Sequence, residues 1–148
     1  MSEPTAGHID DLQQDIVTRL EGESQLSGIP VLCELVHDVA SKIETALGSV
    51  GGICIVVTPP VCNVGKPNLP GPYFDSVTLD INIPENPPIN QAAAGKKLTA
   101  SHVAELVAKR LHRWQNEHGR CLLVGAIRPV ADPQFRVYRV PVTTAFGL

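Results

Sequence analysis

Apolar positions along the first segment recur with a helical period: Ile9, Leu12, Ile16 and Leu20 are spaced by three and four residues, with Val17 beside them. This spacing predicts an amphipathic helix over 9–21, capped by Asp10 or Asp11 and ended by Gly22, with a loop in GESQLSG. IPVLCELV, residues 29 to 36, is a short apolar run that fits a buried strand or the opening of a helix. A strand is the better reading, because Asp38 or Ser41 can then cap a separate helix in which Val39, Ile43 and Leu47 share a face before Gly48. ICIVVTPP, residues 53 to 60, is β-branched and stops at two prolines that cannot donate to a ladder, which predicts a buried strand with a firm end.

The pattern then breaks. Residues 61–72, VCNVGKPNLPGP, hold too many prolines and glycines for a regular element, so a long connection or an irregular edge is expected. In FDSVTLDINI, Val77, Leu79, Ile81 and Ile83 alternate with Ser76, Thr78, Asp80 and Asn82, the mark of a strand with one core face and one polar face. A flexible polar stretch, AAAGKKLT, leads to Thr99 or Ser101 as the cap of a helix in which Val103, Leu106, Val107, Arg110, Leu111 and Trp114 keep the helical period and Gly119 closes. CLLVGAI and FRVYRVPV, separated by the turn-rich RPVADPQ, predict a terminal hairpin. Three helices and about five strands, not regularly interleaved, predict an α+β fold with a mainly antiparallel sheet and helices packed on one face.

The totals narrow this picture. A length of 148 residues with 43% hydrophobic content predicts a single domain able to bury a core without metal or disulfides. A formal charge of -3 lacks the basic footprint that general attraction to nucleic acid or anionic lipid requires. The opening MSEPTAGHIDD shows no basic region followed by an apolar one, and no apolar run approaches the roughly 20 residues that span a bilayer. A soluble protein made in a cytoplasm is the expectation. Cys33, Cys54, Cys62 and Cys121 are scattered, three of them in apolar runs, and read as reduced, buried thiols.

Candidate chemistry is sparse. Cys33 and His37 would share a face, but no CxxC or HxxxH completes a metal set, and His112 and His118 read as solvated helix residues. No GxSxG elbow is present, and Gly51 and Gly52 precede a strand, the wrong order for a phosphate loop. Asp75, Asp80 and Glu85 are candidate acid/base carboxylates, but Asp75 and Asp80 fall on opposite faces of their strand by parity. The cluster KRLHR at 109–113 suggests nucleic-acid contact, yet the period puts Trp114 on the apolar stripe and Lys109 and Arg113 on the solvated side. Neither an enzyme, a bound cofactor, a metal nor specific nucleic acid is expected.

IPENPPINQ, residues 83 to 91, places one carboxylate and two carboxamides among three prolines. Prolines at 84, 87 and 88 fix φ and remove donors, which predicts a stiff, extended arm over 84–90. The plain role of such an arm is to end a strand and protect its edge. A sharper role is docking: Glu85, Asn86 and Asn90 on the arm, with Asp80 and Asn82 on the polar strand face, are the candidate subunit-interface residues.

The order of β-branched strand, proline-rich excursion, VTLDINIPENPPIN, SHVAELVAKRLHRW and terminal FRVYRVPV resembles the tail terminator and minor tail proteins of long-tailed bacteriophages and prophages. The resemblance covers residues 29–148, leaving the helix and loop of 1–28 as an addition. It implies an α+β fold and a structural, non-catalytic role. The implied assembly is a homo-oligomeric ring, commonly a hexamer, that closes the tail tube or joins it to neck or connector proteins. The implied location is the virion tail, after assembly in the host cytoplasm. An alternative from another class is a small enzyme or ligand-binding domain with a pocket near residues 61–95.

Overall fold

The computed structural model describes residues 8–34, 39–48, 51–64, 74–92, 98–116 and 121–144. Its elements in chain order are α1 (His8–Glu21), β1 (Val31–Cys33), α2 (Val39–Gly48), β2 (Ile55–Val57), β3 (Val61–Val64), β4 (Phe74–Glu85), α3 (Pro87–Ala92), α4 (Ala100–Leu111), β5 (Leu123–Val124), β6 (Arg128–Val130) and β7 (Arg136–Thr144). The fold is α+β.

Seven strands form one sheet, in which the central path runs β1-β2-β4-β7-β5. β4 is the backbone of this sheet: β7 runs along one edge from Val77↔Thr144 to Glu85↔Arg136, while β2 and β3 share the other edge. On the far side of β7, β5 pairs at Val124↔Val142 and β6 at Val130↔Val137. Every pair is antiparallel except β1 with β2, where α2 provides the crossover that parallel strands need.

Alternation along β4 decides where the core lies. Val77, Leu79, Ile81 and Ile83 are buried with Val140 and Val142 of β7 and Ile55 and Val57 of β2. Leu12, Ile16, Val17 and Leu20 of α1 and Val103, Ala104, Val107 and Leu111 of α4 close over that face. Each valine, leucine or isoleucine among them contributes about 1.5–3 kcal/mol by leaving water, so this layer supplies the main drive to fold. Gln13 enters the same layer and is kept there by donating from Nε2 to the Val57 carbonyl at 2.9 Å.

The expectation of helices on one face applies to α1 and α4, but α2 takes the other. Ala46 and Leu47 bury against Val56 of β2 and Cys54 just before it, side chains that alternate away from the main core. The physical reason is that both sides of β2 are apolar, so each needs cover.

Several local expectations are refined or corrected. Of the two readings of 61–72, a connection or an irregular edge, residues 61–64 take the second: they form β3 on the β4 edge, with a register shift between Asn63 and Val64. The prolines at 87 and 88 open α3 instead of extending an arm, since proline is tolerated in the first turn where no intrahelical N–H is needed. Within RPVADPQ, Arg128–Val130 is strand β6. The α4 stripe also stops earlier than expected: Arg113 adopts φ 64 and turns the chain, so Trp114 lies beyond the helix. Gly119 and residues 93–97, AAGKK, lie outside the described residues.

Candidate functional site

Glu85 continues the inward parity of β4, and this places its carboxylate inside the protein at 0% exposure. Oε1 accepts from the Ala100 N–H at 2.9 Å, at the first turn of α4, and Oε2 accepts from Asn90 Nδ2 at 3.0 Å. A carboxylate at a helix N-terminus satisfies a donor that the helix leaves unpaired and meets the positive end of its dipole. Asn90 Nδ2 also donates to the Leu98 carbonyl at 2.6 Å. Thr99 caps the same helix, accepting from the His102 N–H at 3.4 Å.

The preceding asparagine faces another element. Asn86 donates from its backbone to the Gly52 carbonyl at 2.7 Å and from Nδ2 to the Leu47 carbonyl at the end of α2, at 3.0 Å. Its own carbonyl accepts from the Asn90 N–H at 2.9 Å, closing the single turn of α3. ENPPIN is therefore an internal joint between β4, α2 and α4. The expectation that Glu85 and Asn90 are presented to a neighbour is corrected: both are buried, and Asn86 is half-buried with its amide engaged. A buried carboxylate must have its hydrogen bonds met, and here other parts of the same chain meet them.

Asp80 and Asn82 lie on the opposite face of β4 and remain partly exposed. Arg139 of β7 donates from Nε to Asn82 Oδ1 at 3.2 Å and stands 3.8 Å from Asp80 Oδ2. Arg128 of β6 is the register partner of Arg139, and a hollow is lined by Asp80, Ala126, Arg128, Arg139 and Pro141. Thr58 pins β2 to this row, donating from Oγ1 to the Asp80 carbonyl at 2.8 Å and accepting from the Asp80 N–H at 3.0 Å. The α2 cluster, joined by Phe135 from the hairpin loop, covers the other part of this face. That loop is shaped by Asp132, which accepts from the Gln134 and Phe135 N–H groups at 2.8 and 2.9 Å; both bonds hold its carboxyl below the usual range.

Arg128 and Arg139 are site residues that sequence reading did not single out. Alternation along FRVYRVPV places Arg139 opposite in sense to Val140, a usable signal. Its pairing with Arg128 depends on hairpin register, which the turn-rich composition of RPVADPQ conceals.

No family model and no curated protein matches this chain. The geometry must carry the functional reading.

The basic cluster at 109–113 divides. Lys109 and Arg113 are exposed, whereas Arg110 faces Glu23 at 3.7 Å and donates from Nε to the Arg19 carbonyl at 3.3 Å. Arg19 returns a bond to the Arg110 carbonyl at 3.2 Å and lies over the Trp114 ring, 5.0 Å from its centroid. This clasp fastens α1 to α4 through cation–π and hydrogen-bond contacts. Burial, and then the neighbouring Arg110, lower the Arg19 pKa.

The remaining chemistry is dispersed. Among the described residues no group of three or more His, Cys, Asp or Glu side chains is placed to hold a metal; His37 and His118 lie outside them. His112 is exposed and accepts from the Val124 N–H through Nδ1 at 3.0 Å. The three cysteines whose side chains are described do not behave alike: Cys54 is buried and its thiol is pushed up to about 12 by desolvation, Cys33 is half-buried, and Cys121 is exposed. The Cys62 side chain lies outside the described residues, and the expectation of buried thiols is corrected for Cys121, which precedes the buried Leu122.

Proposed function

We propose that this chain is a structural assembly subunit of a phage or prophage tail, joining copies of itself into a homo-oligomeric ring that terminates the tail tube or links it to the neck. The observation that carries this reading is the polar half of the sheet, where Asp80, Arg128 and Arg139, with the amide of Asn82, form a polar row beyond the cover of α2. A sheet face that carries fixed charges on rigid strands loses little side-chain freedom on docking, which suits a contact repeated many times. The order of elements in β4, α4 and the terminal hairpin supports the same reading through its likeness to tail terminator proteins. Of the five residues expected at the interface, Asp80 and Asn82 carry the proposal. Glu85, Asn86 and Asn90 support it indirectly by fixing the end of β4.

Native mass spectrometry of the full chain, from low micromolar concentration upward, tests the reading. Species at multiples of 15.8 kDa, with a closed ring dominant, are the expected result. A strictly monomeric spectrum throughout the range overturns it.

A further inference from the structure

Arg128 and Arg139 are directly opposed across β6 and β7, and both are exposed. Opposed residues of an antiparallel pair project from one face, where like charges repel. Arg139 is partly answered by Asp80 and by the Asn82 amide oxygen. Among the described residues, the Arg128 side chain has no ion pair or hydrogen bond. One carboxylate thus stands against two guanidiniums around the hollow they line with Ala126 and Pro141.

On the other side of the molecule Lys109 of α4 and Arg113 just beyond it are exposed, and the acidic surface there is the stripe of α1. α1 lies on the core face, and its outward stripe reads Asp11, Gln14, Thr18 and Glu21, all exposed and none basic. The sole cation of α1, Arg19, is occupied by Arg110 and Trp114. Parity fixes the sidedness: Val140 points into the layer beneath α1 and α4, so the adjacent Arg139 points away from it. Complementary patches on opposite sides of one subunit cannot meet within it. Contact between copies through such patches is head-to-tail, and it repeats in one direction until the rotation closes. Charged strands near a sheet edge also discourage stray pairing, but that role involves the arginines alone and gives no part to α1.

We infer that Arg128 and Arg139 are the receiving half of a head-to-tail contact whose other half is the Asp11–Glu21 stripe on α1 of a second copy. The inference rests on the assembly reading and names its surfaces. The partner is identified by its chemistry: two carboxylates, Asp11 and Glu21, held along one exposed stripe of a helix.

Three full-length variants test it by sedimentation velocity at low salt: Arg128→Glu with Arg139→Glu, Asp11→Arg with Glu21→Arg, and all four changes together. Circular dichroism establishes that each is folded. Arg128→Glu alone serves if the Arg139 change disturbs the sheet. Each two-site variant faces like charge with like and is expected to lose assembly by about tenfold or more. An equimolar mixture of the two restores opposite signs at every contact, as does the four-site variant, so both are expected to assemble. Two-site variants that assemble like the parent, or a mixture that stays dispersed, overturn the inference and leave the assembly reading intact. A parent chain that never assembles overturns both.

Discussion

A carboxylate taken wholly out of water has to be answered by donors, and Glu85 is answered by two that belong to different parts of the chain, the Ala100 N–H and the Asn90 amide. Removing the side chain leaves both donors buried and opens a void. Glu85→Ala is therefore expected to cost about 3 kcal/mol or more. Glu85→Gln keeps one acceptor for Ala100 and sets an amide against the Asn90 amide, so its cost is expected to be nearer 1–2 kcal/mol, on the usual scale of one lost hydrogen bond. Urea unfolding of the two variants checks this order. Equal midpoints would show that the bonds to Ala100 and Asn90 contribute nothing. At this scale the sequence was legible in part: the alternation of FDSVTLDINI runs on to place Glu85 on the core side, but three neighbouring prolines suggest that the strand has already ended.

Among the described residues, the glycine pair that leads into β2 makes a close approach to a neighbouring element. Gly51 and Gly52 both take positive φ, at 76° and 73°. A Cβ on Gly51 would meet nothing within 4 Å, whereas one on Gly52 would lie 2.5 Å from the Asn90 nitrogen and 3.0 Å from the Asn86 carbonyl. Gly51→Ala is expected to cost about 1 kcal/mol from backbone conformation alone. Gly52→Ala adds a clash with the backbone of α3 and is expected to cost about 3 kcal/mol or more. Thermal melts of the pair separate these terms; a Gly52 variant no worse than the Gly51 variant would mean that α3 is not packed on the turn. Periodicity located α1, α2, β2, β4 and α4 because each has a long or strongly patterned apolar set. It missed α3 and β6 and left β3 open between a connection and an irregular edge; all three are three to six residues long and owe their form to a neighbour.

Across the whole molecule, stability is not evenly spread. β4 and β7 pair over nine registers and are flanked on both edges, while β1 is three residues at the end of the sheet and β3 exposes Val61 at 61%. Amide hydrogen exchange is expected to be slowest at Leu79–Ile83 and Val140–Val142 and faster in β1 and β3. Mass-spectrometric exchange on peptides covering these strands checks the ranking, and early exchange in β4 would mean that the sheet does not open from its edges. The proposed assembly surface follows the same division, since the polar row of Asp80, Asn82 and Arg139 stands on these two central strands.

The sequence by itself determined the α+β class, the two principal helices, the two-faced character of β4 and the outward placement of Asp80 and Asn82, because these depend on periods of 3.6 and 2 that local order carries. Only the tertiary structure decided that ENPPIN folds inward as a joint, that α2 crosses to the far face, and that Arg128 stands opposite Arg139. Each of these depends on which distant segment supplies a donor, an apolar surface or a register partner. Such pairings are settled by contacts across tens of residues, and residue spacing within a segment does not encode them.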